Sequence, residues 1–528
     1  MLYGTPDRES AWECLGGQWD MIIVGGGITG AGILREAVRL GLRVLLLEQN
    51  DFASGTSSRS SKLVHGGLRY LNNAQFKLTW QSVCERDELL REGPGLIEPL
   101  PFLFPTYRGD AIPGWMMEIG LSLYSWMGGK WNAYQRLTPG ELCALSPGLC
   151  ADRLTGGFRY CDAQTDDARL VLRLIREAVG TGRAVVINYA RVEGLLRGAG
   201  GLVNGVAVCD RVTGATAEAH AAAVVNATGA WADRLRGQVG ARARIRPLRG
   251  SHLIFPQYRF PVYQAVTFPH PRDARPVFAF PWEGVTLIGT TDLDHRDDLD
   301  NEPSISPEEF DYLLRAAQAH FPDLALAADD VLSTFAGVRP VISRSQSKAP
   351  SKESREHVIW EEGGLLTVTG GKLTTFRHIA LDALRALRRR LPRLEKVDDH
   401  LAALDPMPPV EALPGLTHAE ALRLVARYGP PILDLARVRP EELGRVNGLP
   451  IHWLELRWAA RHEAVIHLDD LLLRRVRLGL LAPNGGEKFL SRIRQMAQSE
   501  LGWDDVRWEQ EVAAYQARWR AHYSLPVS

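Results

Sequence analysis

Three glycines near the start of the chain have the spacing of a turn that binds a dinucleotide. Gly25, Gly27 and Gly30 follow an apolar run that predicts a strand, and they open a segment with the periodicity of a helix. Glycines at this spacing allow a tight turn and let backbone amides approach a pyrophosphate at the positive end of the helix. Glu48 lies 18 residues after Gly30, at the end of the next apolar run, where its carboxylate can accept hydrogen bonds from ribose hydroxyls. The pattern predicts a dinucleotide-binding βαβ unit, of a kind that FAD and NAD enzymes share.

Two later segments favour a flavin. Residues 56–63 are rich in hydroxyl side chains and suit a cofactor that lies extended along a loop. Residues 370–375 predict a second strand-to-helix turn more than 300 residues further on. A helix N-terminus directed at the pyrimidine end of a flavin would stabilise the anion formed on reduction, and nicotinamide enzymes do not need this second turn. We therefore predict FAD as the cofactor.

The composition excludes several other classes of protein. The 528 residues, 45% hydrophobic and 23% charged, are typical of a soluble globular chain with two or three domains. The 62 basic and 62 acidic residues balance, which argues against nucleic acid as a partner. Six cysteines without a CxxC pair argue against a disulfide scaffold, and we predict no metal site. We expect a cytoplasmic protein, because the chain shows neither a secretory signal nor the ~20 apolar residues of a membrane span.

One apolar segment has two possible roles. Residues 115–127 are apolar and aromatic enough to lie in a membrane interface, although Glu118 interrupts them. Packing in the protein core is the alternative, and we favour it.

Eight motifs occur in the order found in one known family. They are DMIIVGGGITGAG (20–32), TSSRSSKLVHGGLRYL (56–71), TDDARLVL (165–172), VVNATGAWAD (224–233), RGSHL (249–253), IGTTD (288–292), FAGVRP (335–340) and GGKLTTFR (370–377). On these motifs the chain closely resembles the FAD-dependent, respiratory glycerol-3-phosphate dehydrogenases from about Asp20 to Arg377. A helical tail that includes Leu471–Gly479 resembles the family's C-terminal domain less distinctively.

The resemblance implies an α/β fold in three parts. A Rossmann-like FAD-binding domain of the glutathione-reductase or amino-acid-oxidase type carries a β-sheet substrate cap and is followed by a C-terminal α-helical domain. The expected boundaries are 1–19 for an N-terminal extension, 20–95, 150–245 and 335–392 for the discontinuous FAD-binding domain, 96–149 and 246–334 for the cap, and 400–528 for the helical domain.

The resemblance also implies an activity and its partners. The expected reaction is oxidation of sn-glycerol 3-phosphate to dihydroxyacetone phosphate, with a hydride passing from C2 to FAD N5 and electrons passing to a membrane quinone. Peripheral contact with the inner face of the cell membrane is expected, and a homodimer is compatible with the family. One alternative is an oxygen-reducing glycerol-3-phosphate oxidase, whose relatives we expect to be longer, with an insertion that this chain lacks. The other is an inactive FAD-binding protein.

By motif match, His252 and Arg339 are the expected catalytic residues. His252 is the best candidate to take the proton of the C2 hydroxyl, because an imidazole titrates near working pH. It could instead only hydrogen-bond the substrate or orient a neighbour. The expected substrate-binding residues are Arg69, His252, Arg339, Arg355, Lys372 and Thr374, of which the four cations would hold the phosphate.

The resemblance extends the set of cofactor-binding residues beyond the glycine turn. The expected residues are Gly25, Gly27, Ile28, Gly30, Glu48, Thr56, Ser57, Ser60, Ser61, Lys62, Leu63, Ala190, Ala227, Thr228, Gly229, Gly371, Lys372, Leu373 and Thr374.

Overall fold

A computed structural model of the chain describes residues 8–68, 76–110, 113–128, 133–343, 356–398, 400–411 and 413–526. In these residues two β-sheets lie side by side, and a helical C-terminal region packs against both.

The strands are β1 (Gln18–Val24), β2 (Val44–Leu47), β3 (Leu63–Val64), β4 (Ile97–Tyr107), β5 (Gln135–Leu137), β6 (Leu154–Thr165), β7 (Ala184–Ile187), β8 (Ala190–Arg197), β9 (Val203–Asp210), β10 (Thr216–Asn226), β11 (Ile245–Pro256), β12 (Ala265–Pro269), β13 (Pro276–Trp282), β14 (Val285–Gly289), β15 (Leu293–Asp294), β16 (Ser333–Ile342), β17 (His357–Glu362) and β18 (Leu365–Gly370).

The helices are α1 (Arg8–Glu13), α2 (Ile28–Arg39), α3 (Phe76–Glu92), α4 (Gly114–Met127), α5 (Pro139–Leu145), α6 (Asp167–Val179), α7 (Ala232–Gln238), α8 (Pro307–His320), α9 (Phe376–Leu387), α10 (His418–Tyr428), α11 (Ile432–Val438), α12 (Trp453–His462), α13 (Leu478–Leu481), α14 (Leu490–Ala497) and α15 (Asp505–His522). A π-helical segment spans Asp470–Arg475.

The first sheet is the predicted dinucleotide-binding sheet. Its parallel strands run in the order β18-β10-β1-β2-β7, and the antiparallel strands β17 and β9 extend it. Helices α2, α6 and α9 cover one face, while the β8–β9 hairpin and α7 cover the other. Residues 21–24 of β1 and all of β2 are therefore continuous apolar runs rather than alternating ones. The helix α2 connects them, so the βαβ unit and the Rossmann-like fold class are confirmed.

The N-terminal residues belong to this first sheet as well. β1 begins at Gln18, two residues before the expected start of the domain. Leu15 is buried in the core beside the sheet, and the Arg8 guanidinium pairs with the Asp210 carboxylate at 2.6 Å. Residues 8–17 therefore pack on the domain rather than extending away from it.

The second sheet forms the cap and differs from the predicted boundaries. Its strands follow the order β15-β11-β14-β13-β12-β4-β6-β3, with β16 paired to β11 and β5 paired to β6. Strands β3, β6 and β16 lie in segments that we assigned to the FAD-binding domain, yet they pair here. The reason is that the chain crosses between the sheets through extended strands, so that one segment contributes to both.

The C-terminal region is helical, as expected from the resemblance. The helices α12–α15 bury apolar faces against α4 and strands of the cap sheet. No helix in the described ranges is long and apolar enough to cross a membrane.

Candidate active site

A cavity of about 350 Å³ lies at the carboxyl ends of β1, β2 and β10, where open α/β sheets bind their ligands. Its walls bring together residues that are distant in the sequence. Of the residues predicted to bind the cofactor, those that line it are Gly25, Gly27, Ile28, Glu48, Thr56, Ser57, Ser60, Ala190, Ala227, Thr228, Gly229, Gly371, Lys372 and Leu373.

The glycine turn after β1 has room for backbone alone. Gly25 has a φ of +114°, and a Cβ there would lie 2.5 Å from the carbonyl oxygen of Ala227. A Cβ at Gly30 would lie 1.9 Å from the carbonyl oxygen of Gly25. The Ser57 hydroxyl oxygen accepts a hydrogen bond from the amide of Ile28 at 2.9 Å, which fixes the start of α2. The turn and the helix N-terminus therefore have the geometry of an anion-binding cradle, as the glycine spacing predicted.

Glu48 is held at the end of β2 by two backbone amides. Its Oε2 accepts from Gly26 at 2.7 Å and its Oε1 accepts from Asn50 at 2.9 Å. Burial raises the pKa of this carboxyl, and the two backbone hydrogen bonds oppose that effect. The carboxylate lines the cavity one strand away from the glycine turn, where a ribose of an extended dinucleotide fits.

The second strand-to-helix turn closes the far end of the cavity. Gly370 and Gly371 have φ values of +79° and +78°, and a Cβ at Gly371 would lie 2.4 Å from Ile379 Cδ1. Thr374 does not line the cavity; its hydroxyl oxygen accepts from the amide of His65 at 3.1 Å. This bond joins the late turn to the segment that follows residues 56–63.

Lys62 is placed differently from the expectation. We define the cofactor loop as residues 51–62. Lys62 Nζ is fully buried behind this loop, where it donates to both carboxylate oxygens of Asp167, at 2.8 and 2.9 Å, and to the carbonyl of Ser58 at 2.6 Å. Burial lowers the pKa of Lys62 to about 8, although Asp167 opposes the shift. Its ammonium therefore holds the loop from the side away from the cavity, and Lys62 does not line the cavity. Three other residues predicted to bind the cofactor do not line it either: Gly30, Ser61 and Leu63.

His252 lies in β11 and touches the cofactor loop. Its Nε2 is 2.9 Å from the Ser61 hydroxyl oxygen, and its ring stacks on Phe335 with centroids 4.5 Å apart. Its Nδ1 has no hydrogen-bond partner among the described residues. Burial, followed by the charges of Arg339 and Lys62, holds the pKa of His252 well below its usual range. The imidazole is therefore neutral at pH 7, as a proton acceptor must be.

Arg339 lies in β16, the strand that pairs with β11. Its Nη1 donates to Asp292 Oδ1 and its Nη2 donates to Thr290 Oγ1, both at 3.0 Å. The side chain stays 22% exposed. The adjacent residue, Val338, accepts a hydrogen bond through its carbonyl from the Thr56 hydroxyl. Arg339 is thus oriented by the cap and stands next to the cofactor loop.

Three glycines inside the quoted motifs make this cluster possible, and the motifs alone did not indicate why. A Cβ at Gly250 would lie 2.4 Å from Arg339 Nη2, and a Cβ at Gly289 would lie 2.2 Å from His252 Cδ2. A Cβ at Gly337 would lie 2.5 Å from the carbonyl oxygen of Arg59, in the cofactor loop. Each glycine therefore makes room for one side chain or for the approach of the loop.

Asp292, Thr290 and Asp167 contact predicted site residues, although the sequence reasoning gave none of them a role in the site. All three lie within the quoted motifs, which was the signal available for them. Lys372 lines the cavity, and its Nζ donates to Ser82 Oγ at 3.1 Å. Arg69 and Arg355 lie outside the described residues, so their predicted roles stay predictions.

Replacing His252 with Gln is expected to make the free energy of unfolding fall less steeply as the pH is lowered below about 6.5. In the unfolded chain the imidazole binds a proton below about pH 6.5, whereas the buried ring does not, so the wild type loses stability as pH falls below that value. The loss reaches about 1.4 kcal/mol per pH unit until the pH meets the lower pKa of the folded state. Urea unfolding at pH 7.5, 6.5 and 5.5 measures the difference between the two proteins. Parallel curves would show that the buried ring titrates normally.

The chain matches two family models. Residues 20–377 match the model described as FAD dependent oxidoreductase, and residues 376–508 match the C-terminal domain of alpha-glycerophosphate oxidase. The glycerol-3-phosphate dehydrogenase 2 of Mycobacterium tuberculosis is 36% identical over 98% of this chain and 90% of that protein. The crystal structure of glycerol-3-phosphate dehydrogenase from Bacillus halodurans, complexed with FAD, is 30% identical with a TM-score of 0.76, covering 99% of this chain and 97% of that one.

A third similarity concerns the oxidase alternative. Dithionite-reduced L-alpha-glycerophosphate oxidase from Mycoplasma pneumoniae, with FAD bound, has a TM-score of 0.57 at 18% identity, which is a likeness in fold. The alignment covers 100% of that chain and 74% of this one, so that oxidase is the shorter protein. For this one chain, the greater length that we expected of oxidases is wrong.

Proposed function

Since the chain belongs to the family of FAD-dependent glycerol-3-phosphate dehydrogenases, we propose that it oxidises sn-glycerol 3-phosphate to dihydroxyacetone phosphate and passes the electrons to a membrane quinone. FAD, when bound, accepts the C2 hydride at its N5. The proposal rests on one observation above the others. His252 and Arg339 lie on neighbouring strands of the cap, and both strands are bonded to the loop that lines the cofactor cavity.

The described residues fit this cofactor along its length. We assign the pyrophosphate to the turn from Gly25 to Gly30, an adenosine ribose to Glu48, and the pyrimidine end of the flavin to Gly371–Leu373. The helix N-terminus at α2 favours the negative pyrophosphate, and the late turn favours negative charge on the reduced ring.

We assign the substrate phosphate to Arg339 and Lys372. A phosphate monoester carries nearly two negative charges, and a partly desolvated site must supply fixed cations for it. Asp292 and Thr290 orient the Arg339 guanidinium, while Lys372 lies on the cavity wall and donates to the neutral hydroxyl of Ser82. A guanidinium that is held in place grips phosphate oxygens with less loss of side-chain entropy.

We assign the proton of the C2 hydroxyl to His252, with substrate orientation as its alternative role. In the tautomer that donates Nε2–H to Ser61, the lone pair of Nδ1 is the proton acceptor. Burial keeps the ring neutral and ready to accept a proton. Ser61 thereby sets which nitrogen can act.

An exposed apolar surface supports the proposed contact with a membrane. Helix α4 buries one face against the cap, so residues 115–127 pack in the core as favoured from the sequence, and its other face is exposed and available for contact with a membrane. The rings of Trp126 and Trp80 meet with centroids 5.6 Å apart, which joins the exposed faces of α4 and α3. We call this surface the apolar patch: Phe76, Trp80, Trp115, Met116, Ile119, Leu123 and Trp126. A patch of this kind, with tryptophans, suits the interface of a bilayer, where a quinone is available.

Replacing both Trp115 and Trp126 with Ser is expected to weaken binding to vesicles about tenfold, because membrane affinity scales with the apolar area that enters the interface. Sedimentation with vesicles of phosphatidylcholine and phosphatidylglycerol measures the affinity. The matched control is Tyr258→Ser, which removes a ring that is 85% exposed and does not belong to the patch. Equal affinities for all three proteins would exclude the patch as the contact surface.

An anaerobic titration of the FAD-loaded protein with glycerol 3-phosphate tests the proposed reaction. We expect the flavin to bleach stoichiometrically and to recover its colour when a soluble quinone is added. Recovery only with air, with one hydrogen peroxide per substrate, would identify an oxidase instead. A flavin that stays yellow with substrate would identify an inactive FAD-binding protein.

A further inference from the structure

The C-terminal region reaches the cofactor loop through three buried arginines. Arg474, Arg475 and Arg477 lie in and just after the π-helical segment, inside the motif Leu471–Gly479, and all are at most 3% exposed. π-Helical turns are rare and occur frequently at functional sites. Burying several charged side chains together costs free energy of desolvation, and the proposed function assigns no role to these residues.

The first contact holds the start of the loop. Arg475 binds the carboxylate of Asp51 through both terminal nitrogens, at 2.6 and 2.7 Å, and Arg474 Nε donates to the same carboxylate. Asp51 is fully buried and lies three residues after Glu48. Three charge-assisted hydrogen bonds to one carboxylate fix its position and orientation.

The second contact holds the middle of the loop. Arg477 Nη1 donates to the carbonyl of Ser58 at 3.3 Å, and Nη2 donates to Asp167 Oδ1 at 2.5 Å. The other oxygen of Asp167 accepts from both the amide and the hydroxyl of Ser60, at 3.0 and 2.7 Å. Ser60 lines the cofactor cavity. A continuous path of hydrogen bonds thus runs from the C-terminal domain to a wall of the cavity.

We propose that the C-terminal domain shapes the FAD site by holding the cofactor loop, with Arg475 and Arg477 as positioning residues. This inference rests on the assignment of FAD to the cavity and on no step of the reaction. Because the loop has no regular secondary structure between its 3₁₀ turn, Thr56–Ser58, and β3, its geometry depends on these external contacts. Without them Thr56 and Ser57 remain bonded to β16 and α2, but the backbone at Ser58 and Ser60 is held less firmly and the FAD site is less preorganised.

The test compares two equally buried arginines in the full-length protein. Arg477→Gln breaks the path to the loop. Arg173→Gln is the matched control, because Arg173 is also buried and also bridges to the C-terminal region, through the carbonyls of Asp405 at 2.9 Å and Ala426 at 3.3 Å, which lie outside the cofactor loop. Three quantities are measured for each variant. They are the dissociation constant of FAD, from the flavin fluorescence that recovers when FAD is released, the visible spectrum of bound flavin, and the melting temperature of the apoprotein.

We expect both variants to melt at lower temperature and only Arg477→Gln to bind FAD about tenfold more weakly, with a changed flavin spectrum. Arg477→Lys is expected to recover part of the affinity, since it keeps the charge. If both variants bound FAD equally weakly, the cause would be general destabilisation of the protein. If both kept the wild-type affinity for FAD, the loop would not need these contacts to keep its geometry. Either result overturns the proposal. If Arg477→Gln fails to fold, Arg475→Lys takes its place in the same comparison. This variant keeps the charge but loses the bidentate contact with Asp51.

These measurements do not use turnover. A wild-type protein that binds FAD and fails to oxidise glycerol 3-phosphate would overturn the proposed function and leave this inference standing.

Discussion

Replacing Arg339 with Ala is expected to raise the KM for glycerol 3-phosphate about 100-fold while FAD content stays at the wild-type level. A charge-assisted contact to a phosphate contributes roughly 3 kcal/mol, and each 1.4 kcal/mol corresponds to about a factor of ten. The effect falls on KM because the phosphate is bound alike in the ground state and in the transition state. Steady-state kinetics with a soluble quinone, together with the flavin absorbance of the purified protein, measure both quantities.

Two comparisons separate phosphate binding from damage to the cap. Arg246→Ala removes an arginine from β11 that pairs with Asp294 at 2.6 Å, and it should leave the KM nearly unchanged. Glycerol, which lacks the phosphate, should be an equally poor substrate for the wild type and for Arg339→Ala. If the wild type oxidised glycerol as readily as the phosphate ester, the role assigned to Arg339 would be wrong.

Replacing Gly30 with Ala is expected to weaken FAD binding by about 100-fold, leaving the purified protein almost colourless. The added methyl would lie 1.9 Å from the carbonyl oxygen of Gly25, so the turn and α2 must separate by more than 1 Å. A displacement of that size between positioned groups typically costs about two orders of magnitude. Titration of the apoprotein with FAD, followed by the recovery of absorbance in the visible region, gives the affinity.

Gly237 provides the matched substitution for this experiment. It lies in α7, beside the same sheet, and a Cβ there would meet no atom within 4 Å. Gly237→Ala should therefore keep FAD affinity and slightly raise the melting temperature, because alanine favours a helix over glycine. Loss of FAD from both variants would mean that the domain tolerates no change at either place, and the steric argument for Gly30 would fail.

The sequence predicted those parts of the site that depend on local pattern. The turn at Gly25–Gly30 and the carboxylate of Glu48 are defined by neighbours within one βαβ unit, so their spacing in the chain carries the signal. The late turn at Gly370–Leu373 is local in the same way, since one strand and one helix define it. These residues line a single cavity in the structure.

The remaining features depend on pairs that are far apart in the chain. Lys62 was expected at the cofactor, and its partner, Asp167, is 105 residues away. Glycine is required at position 250 because β16 places the Arg339 side chain beside it. No periodicity or motif spacing reports such contacts, because they are set by the pairing of strands and the packing of domains. The domain boundaries differ from the predicted ones for the same reason, because a strand such as β6 pairs with strands of the cap sheet.

The contact between Asp51 and Arg475 spans 424 residues, and β18, which completes the parallel sheet beside β10, comes from residues 365–370. A chain growing on the ribosome therefore exposes its nucleotide-binding turn long before it has synthesised the parts that finish the pocket. At about 5–20 residues per second, that interval lasts on the order of 20–90 s. All the residues that line the cavity are synthesised by Leu373, whereas Arg475 and Arg477, which hold the cofactor loop, follow later in the chain. On the role proposed for these arginines, tight binding of FAD is expected only after Arg477 has been synthesised.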